Sequence, residues 1–110
     1  MSGRVLIVMT TVEAGEEPGR IAEALVGEGL AACVNVLPRM SSVYRWRGEV
    51  ARGEECLLMI KTTEDLFGAV RDRIMALHAY ELPEILAVPV TSGLAAYLDW
   101  IDASVTHGSR

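Results

Sequence analysis

Lysine is nearly missing from this 110-residue chain. Lys61 is the one example, and the ten basic residues are outnumbered by fifteen acidic ones, for a formal net charge of −5. Nucleic-acid binding is driven by clustered Lys and Arg that displace counterions from phosphate, so this balance excludes a polyanion-binding surface and leaves room for cations. Cysteine is also scarce: Cys33 and Cys56 stand alone in apolar, strand-like contexts with no CxxC pair and no neighbouring His cluster. That excludes a disulfide framework or a zinc knuckle and reads as buried free thiols in a reducing cytosol. Long apolar runs are absent too. Val5 to Met9 is too short for the core of a signal peptide, and nothing approaches a membrane span, so a cytoplasmic location is expected. What the chain does have is a composition of 51% hydrophobic and 23% charged residues, ordinary for a globular domain. A chain of this length buries about 60 to 70% of its unfolded surface, enough for a core without staples. One domain spanning 1–110 is expected, with its folded core over about 5–103.

The clearest organisational signal is an internal repeat. LIVMTTVE at 6–13 matches LMIKTTED at 58–65 at an offset of 52 residues, and the same offset lays LAACVNVL at 30–37 over LPEILAVP at 82–89. Two strand–helix–strand units are implied. In the first, β-branched Val5 to Thr11 leads through a loop to Pro18 at an early helical position; Ile21, Ala22, Leu25 and Val26 recur at helical spacing, and Gly27 and Gly29 end the helix. In the second, Thr63 stands as an N-cap with Glu64 and Asp65 in the first turn, and Leu66, Val70, Ile74 and Leu77 form the apolar stripe.

Between the units, Ser42, Tyr44 and Trp46 share one side of an extended strand, Gly48 and Gly53 bracket a loop, and Cys56, Leu58 and Ile60 alternate with Leu57, Met59 and Lys61 on the return. This predicts a long central hairpin. Pro83 is read as starting the last strand, with Glu84 just inside it, and Gly93 to Ile101 as a short C-terminal helix. The order is the split-βαβ, ferredoxin-like α+β sandwich βαββαβ with an extra helix, its four-stranded antiparallel sheet carrying both main helices on one face. The other face would be too apolar for a monomer, so association through the sheet and hairpin is expected.

Several blocks in order, GLAACVNV at 29–36, SVYRWRGEV at 42–50, LMIKTT at 58–63, HAYELPEI at 78–85 and YLDWI at 97–101, resemble the CutA family of divalent-cation tolerance proteins over nearly the whole chain. The resemblance implies a ferredoxin-like subunit in a compact homotrimer, with an architecture related to the PII signalling proteins. It also implies a part in tolerance to copper and other divalent cations, and it brings no enzymatic activity with it. The family's copper ligands, a cysteine at the end of the first strand and two adjacent histidines, fall on Met9, Leu77 and His78. The proline that follows the histidine in the family is here Ala79, a change that would let the helix run further.

Two residue sets follow. A metal set of His78, Glu81, Glu84 and Met9 would hold Cu(II) or another divalent cation weakly; against it, a histidine at a helix C-terminus is already accounted for by the dipole, which favours its charged form. A ligand cleft of Trp46, Lys61, Tyr80, Glu84 and Trp100 would form between subunits, with a purely structural Lys61–Glu84 pair as the simpler reading. No organic cofactor, nucleic acid or membrane partner is expected. Catalysis has little support, since the chain has no Gly-rich phosphate loop, GxSxG or HExxH motif. The alternative function is a PII-like sensor of a small molecule.

Overall fold

The computed structural model describes residues 4–107. Its elements are β1 (Val5–Glu13), α1 (Glu17–Gly27), β2 (Cys33–Trp46), β3 (Glu49–Thr63), a 3-10 turn (Glu64–Leu66), α2 (Phe67–Leu77), β4 (Leu86–Pro89) and α3 (Ala95–Ser104). The strands form one sheet in the order β2-β3-β1-β4, and every pairing is antiparallel. This is the ferredoxin-like arrangement the repeat predicts.

The register explains the layering. Val8 is the Cα partner of Ile60, and Thr10 of Leu58, so the even-numbered residues of the two central strands project to the same face. There they meet Ile21 and Leu25 of α1 and Val70 and Ile74 of α2 in a single buried cluster. Odd-numbered Ile7, Met9, Leu57, Met59 and Lys61 project to the opposite face, away from α1 and α2; α3 contacts β3 and β1, with Tyr97 over Lys61. Leu86 and Val88 of β4, partners of Met9 and Ile7, join that face and remain 57% and 42% exposed.

Unbroken alternation along β2 would put odd-numbered Cys33, Asn35 and Leu37 and even-numbered Tyr44 and Trp46 on opposite faces, but the strand has an irregularity. Its partners pass from Leu37↔Leu57 to Met40↔Glu55, three steps on β2 against two on β3. One extra residue is accommodated there, with Arg39 at φ 56°, and a β-bulge of this kind shifts the parity of all that follows. Tyr44 and Trp46 therefore lie on the same side as Cys33, Asn35 and Leu37, the side away from α1 and α2.

Three expectations about boundaries need correction. The hairpin has no loop from Gly48 to Gly53. Arg47 and Gly48 both take positive φ, 52° and 82°, in a two-residue turn whose twist suits the flanking strands, so pairing resumes at Trp46↔Glu49 and Gly53 lies inside β3 opposite Ser42. The last strand begins at Leu86 rather than Pro83, because its pairing with β1 starts at Met9↔Leu86; Glu84 consequently sits in the approach loop. Finally, α2 does not run on through Ala79. It ends at Leu77, and His78 is extended at ψ 141° even without a following proline.

The end of α1 shows why one glycine is needed. Leu30 N–H donates to Leu25 O at 2.9 Å and Gly29 N–H to Val26 O at 3.1 Å, the paired bonds of a Schellman cap, with Gly29 at φ 77°. Thr106 packs where a side chain at residue 29 would begin. Gly29→Ala is expected to destabilise the fold by more than about 1 kcal/mol, because it combines a left-handed backbone with a blocked Cβ position. Urea denaturation checks this, with Gly19→Ala, at an unobstructed helical position, as the comparison.

Candidate functional site

The junction after α2 is built around His78. Its backbone N–H closes the helix on Ile74 O at 2.8 Å, and the extended backbone then turns the buried ring toward β1. Nε2 lies 2.7 Å from Thr11 O, and Nδ1 accepts the Tyr80 backbone N–H at 3.1 Å. A ring nitrogen that accepts carries no hydrogen, so these two bonds specify the neutral tautomer with its proton on Nε2. The dipole-stabilised imidazolium of the sequence reading is not what the geometry shows. His78 instead fastens the junction to β1.

That bond aims the next side chain. The Tyr80 ring lies 4.5 Å from the His78 ring, and its hydroxyl donates to Glu55 Oε2 at 2.7 Å. Burial, reinforced by the Glu55 carboxylate, raises the Tyr80 phenol well above its ordinary value near 10. Glu55 is itself buried and is the direct cross-strand partner of Glu13 on β1. Further along the loop Glu81 accepts a hydrogen bond from Arg47 Nη2 at 3.1 Å, and the Arg47 guanidinium lies 5.3 Å from the Trp46 ring. The hairpin tip and the 78–84 loop thus enclose an open recess of about 930 Å³ whose lining includes Tyr44, Trp46, Tyr80, Glu55, Glu84 and Arg52. Glu13, Glu54 and Glu81 line it as well, so five carboxylates face one lining arginine.

The sequence-derived sets are only partly brought together. Trp46, Tyr80, Glu81 and Glu84 share this recess. Lys61 and Trp100 belong to a separate cluster on the same side of the sheet: Lys61 Nζ donates to Asn35 Oδ1 at 2.6 Å, lies 3.9 Å from Cys33 Sγ and sits 5.9 Å from the Tyr97 ring, which stacks on Trp100 at 5.5 Å. Within one chain, then, Lys61 does not meet Tyr80 or Glu84.

The copper-type positions fit no better. Both His78 nitrogens are committed to the backbone, Leu77 has no donor atom, and Met9 lies mid-sheet between Met59 and Leu86. Among the described residues of one chain, no three His, Cys, Asp or Glu side chains gather closely enough to share a metal ion. Glu55 and Glu13 were not singled out from the sequence; Arg52, with Arg45 and Arg47 the one basic cluster on the hairpin, was expected only for the sensor reading, and it lines the recess. Alternation along ECLLMIK puts Glu55 on the side away from the core, but nothing local signals that Tyr80, 25 residues on, will cover it.

Sheet order, helix placement and this acidic recess define the class: a ferredoxin-like α+β domain with one face of its sheet left largely bare. The model of the CutA1 divalent ion tolerance protein family matches residues 6–104, and the chain belongs to this family. It is 48% identical over 95 residues to the divalent-cation tolerance protein CutA of Thermus thermophilus, covering 86% of this chain and 92% of that one. The chloroplastic Protein CutA 1 of rice is 41% identical, but the match covers 90% of this chain and only 56% of that longer protein. Solved structures agree: the Thermus thermophilus protein superposes with a TM-score of 0.90 at 45% identity over 93% of this chain and 99% of that one. Rice CutA1 gives 0.94 at 38% identity over 97% and 98%.

Tyr80→Phe removes the hydrogen bond that the phenol makes to the buried Glu55 carboxylate and leaves the cavity shape unchanged. The expected cost is about 1–3 kcal/mol of stability at neutral pH, read by urea denaturation. Above pH 10 the difference between the two proteins should shrink, because a phenol whose folded pKa is raised contributes stability that fades as pH rises toward that pKa.

Proposed function

We propose that this protein acts as a cytoplasmic homotrimer in divalent-cation tolerance, binding cations weakly in clefts between subunits and catalysing no reaction. The observation that carries this reading is the uncovered face of the sheet. Leu37, Tyr44, Trp46, Leu86 and Val88 lie on it, between 38% and 57% exposed, and a monomer rarely leaves so much contiguous apolar surface wet. Copies arranged head to tail in a closed ring cover such a face, and a ring brings different parts of neighbouring surfaces together. Lys61 has no carboxylate partner among the described residues of its own chain, and Glu84 has no cation. A cleft that unites Lys61 and Trp100 of one copy with Trp46, Tyr80 and Glu84 of the next satisfies both.

The cation-binding part rests on the recess. With His78 tied to the backbone, oxygen ligands are left, Glu81 and Glu84 foremost, and carboxylates at a wet rim suit a hard, partly hydrated cation better than they suit copper. The two free thiols fit a reducing compartment. A PII-like sensor is the second reading. It is favoured by the size of the recess, which lies in the range that small molecules fill, and by Arg52, Tyr44 and Trp46 on its walls.

Native mass spectrometry with Cu(II) and with Mn(II) tests the proposal. A trimer is expected, with weak uptake that Glu81→Gln/Glu84→Gln abolishes and His78→Ala leaves unchanged. A monomer overturns the assembly, and copper uptake lost in His78→Ala overturns the carboxylate assignment. A metabolite, but no cation, that raises the melting temperature would move the function to the sensor reading.

A further inference from the structure

The last described residue, His107, closes a three-way junction far from the acidic recess. Val105 is buried in the core cluster beneath α1 and α2, and Thr106 N–H donates to Gly29 O at 2.8 Å, so the chain leaving α3 is pinned to the end of α1. His107 then reaches two elements at once. Nδ1 lies 2.9 Å from Asp65 Oδ2 in the 3-10 turn that opens α2; Nε2 lies 2.8 Å from Asp102 O and 3.1 Å from Asp102 Oδ1, on α3 itself.

All three partners are acceptors. A neutral imidazole has one N–H, so one of its nitrogens would present a lone pair to a carboxylate or carbonyl oxygen; the imidazolium has two and satisfies both sides. Asp102 O belongs to the last turn of α3, the negative end of the helix, where a cation is favourably placed. We propose that protonated His107 is a latch that holds α3 against the α1 and α2 ends of the domain, and that it releases the C-terminal end of the helix when the ring loses its proton.

Among the described residues, the charges that bear on the ring come from two elements: Asp65 from the 3-10 turn, beside exposed Glu64, and Asp102 from α3. The α1–β2 loop adds none, since its Glu28 is held by Arg73 at 2.8 to 3.1 Å. The directions of titration agree with the geometry. The Asp65 hydrogen bond raises His107 above its ordinary value near 6.5, and His107 in turn lowers Asp65 below 3.8. A raised histidine contributes stability that is complete below its unfolded value and fades as pH rises through its folded one; a lowered aspartate contributes stability that is lost as pH falls through its own. The latch is therefore closed in mildly acidic solution and opens on the alkaline side of 6.5.

What the latch holds is specific. α3 carries Tyr97 over Lys61, and Ile101 anchors it. The test combines an NMR titration of the His107 ring with hydrogen exchange of amides 101–105, normalised to intrinsic rates, in the full-length protein, in Asp65→Asn and in His107→Gln. The wild-type ring should titrate above 6.5 and shift downward in Asp65→Asn; amide protection should fall through the same pH range and show no such step in His107→Gln. A ring that titrates at or below 6.5, or an identical step in His107→Gln, overturns the latch.

Discussion

The nine-residue antiparallel register between β1 and β3 is the constraint on which everything else depends. Because strand side chains alternate with a period of two, a slip of β3 by one residue against β1 would send Leu58 and Ile60 away from the helices and bury Lys61 and Glu55 under them. The register is also nearly symmetric with the internal repeat. Leu6 pairs with Thr62, and their counterparts 52 residues away and back, Leu58 and Thr10, pair with each other. Val8 pairs with Ile60, which is its own counterpart in the second copy. The two halves of the chain meet across an approximate two-fold axis at the middle of the sheet, and each supplies one helix to the core.

The candidate site lies where this symmetry is broken. Between the two halves β2 and β3 run 14 and 15 residues, far past the end of β1, and the bulge at Pro38 and Arg39 keeps their aromatic residues on the open side. The second junction, residues 78–85, has no long counterpart in the first half. Tyr80 and Glu81 fill the space that the overhanging hairpin creates, one bonded to Glu55 and the other to Arg47. The acidic recess is a product of that overhang, and its residues come from three separate stretches of sequence.

This explains which parts were legible in the sequence. Periodicity and repetition located every strand and helix, because Ile21, Leu25, Val70 and Ile74 report a local pattern with a local cause. Boundaries that depend on pairing were not local. Pro83 looked like a strand start until the partner positions on β1 showed pairing only from Leu86, and Gly53 looked like a loop residue although Arg47 and Gly48 had already turned the chain. His78 was singled out for its chemistry, yet its two bonds go to backbone atoms, which no side-chain motif records. Lys61 and Glu84 share a face without sharing a site, a distinction that needs the positions of β4 and α3 as well as the alternation of residues.

The overhanging hairpin has a consequence for how the molecule comes apart. Past the Glu13↔Glu55 pair, residues 49–54 of β3 are joined to β2 alone, a ribbon about 20 Å long at ~3.3 Å per residue that accounts for much of the 47 Å long axis. A two-stranded ribbon tied to the rest of the chain at its tip by the exposed Arg47–Glu81 pair is marginally stable, and its opening costs far less than global unfolding. Unzipping from the turn at Arg47 leaves the helices and the central strands intact. The peptide bonds after Arg45, Arg47 and Arg52 are thus the natural places for a trypsin-like protease to enter, and their rate of cutting measures how often the ribbon opens.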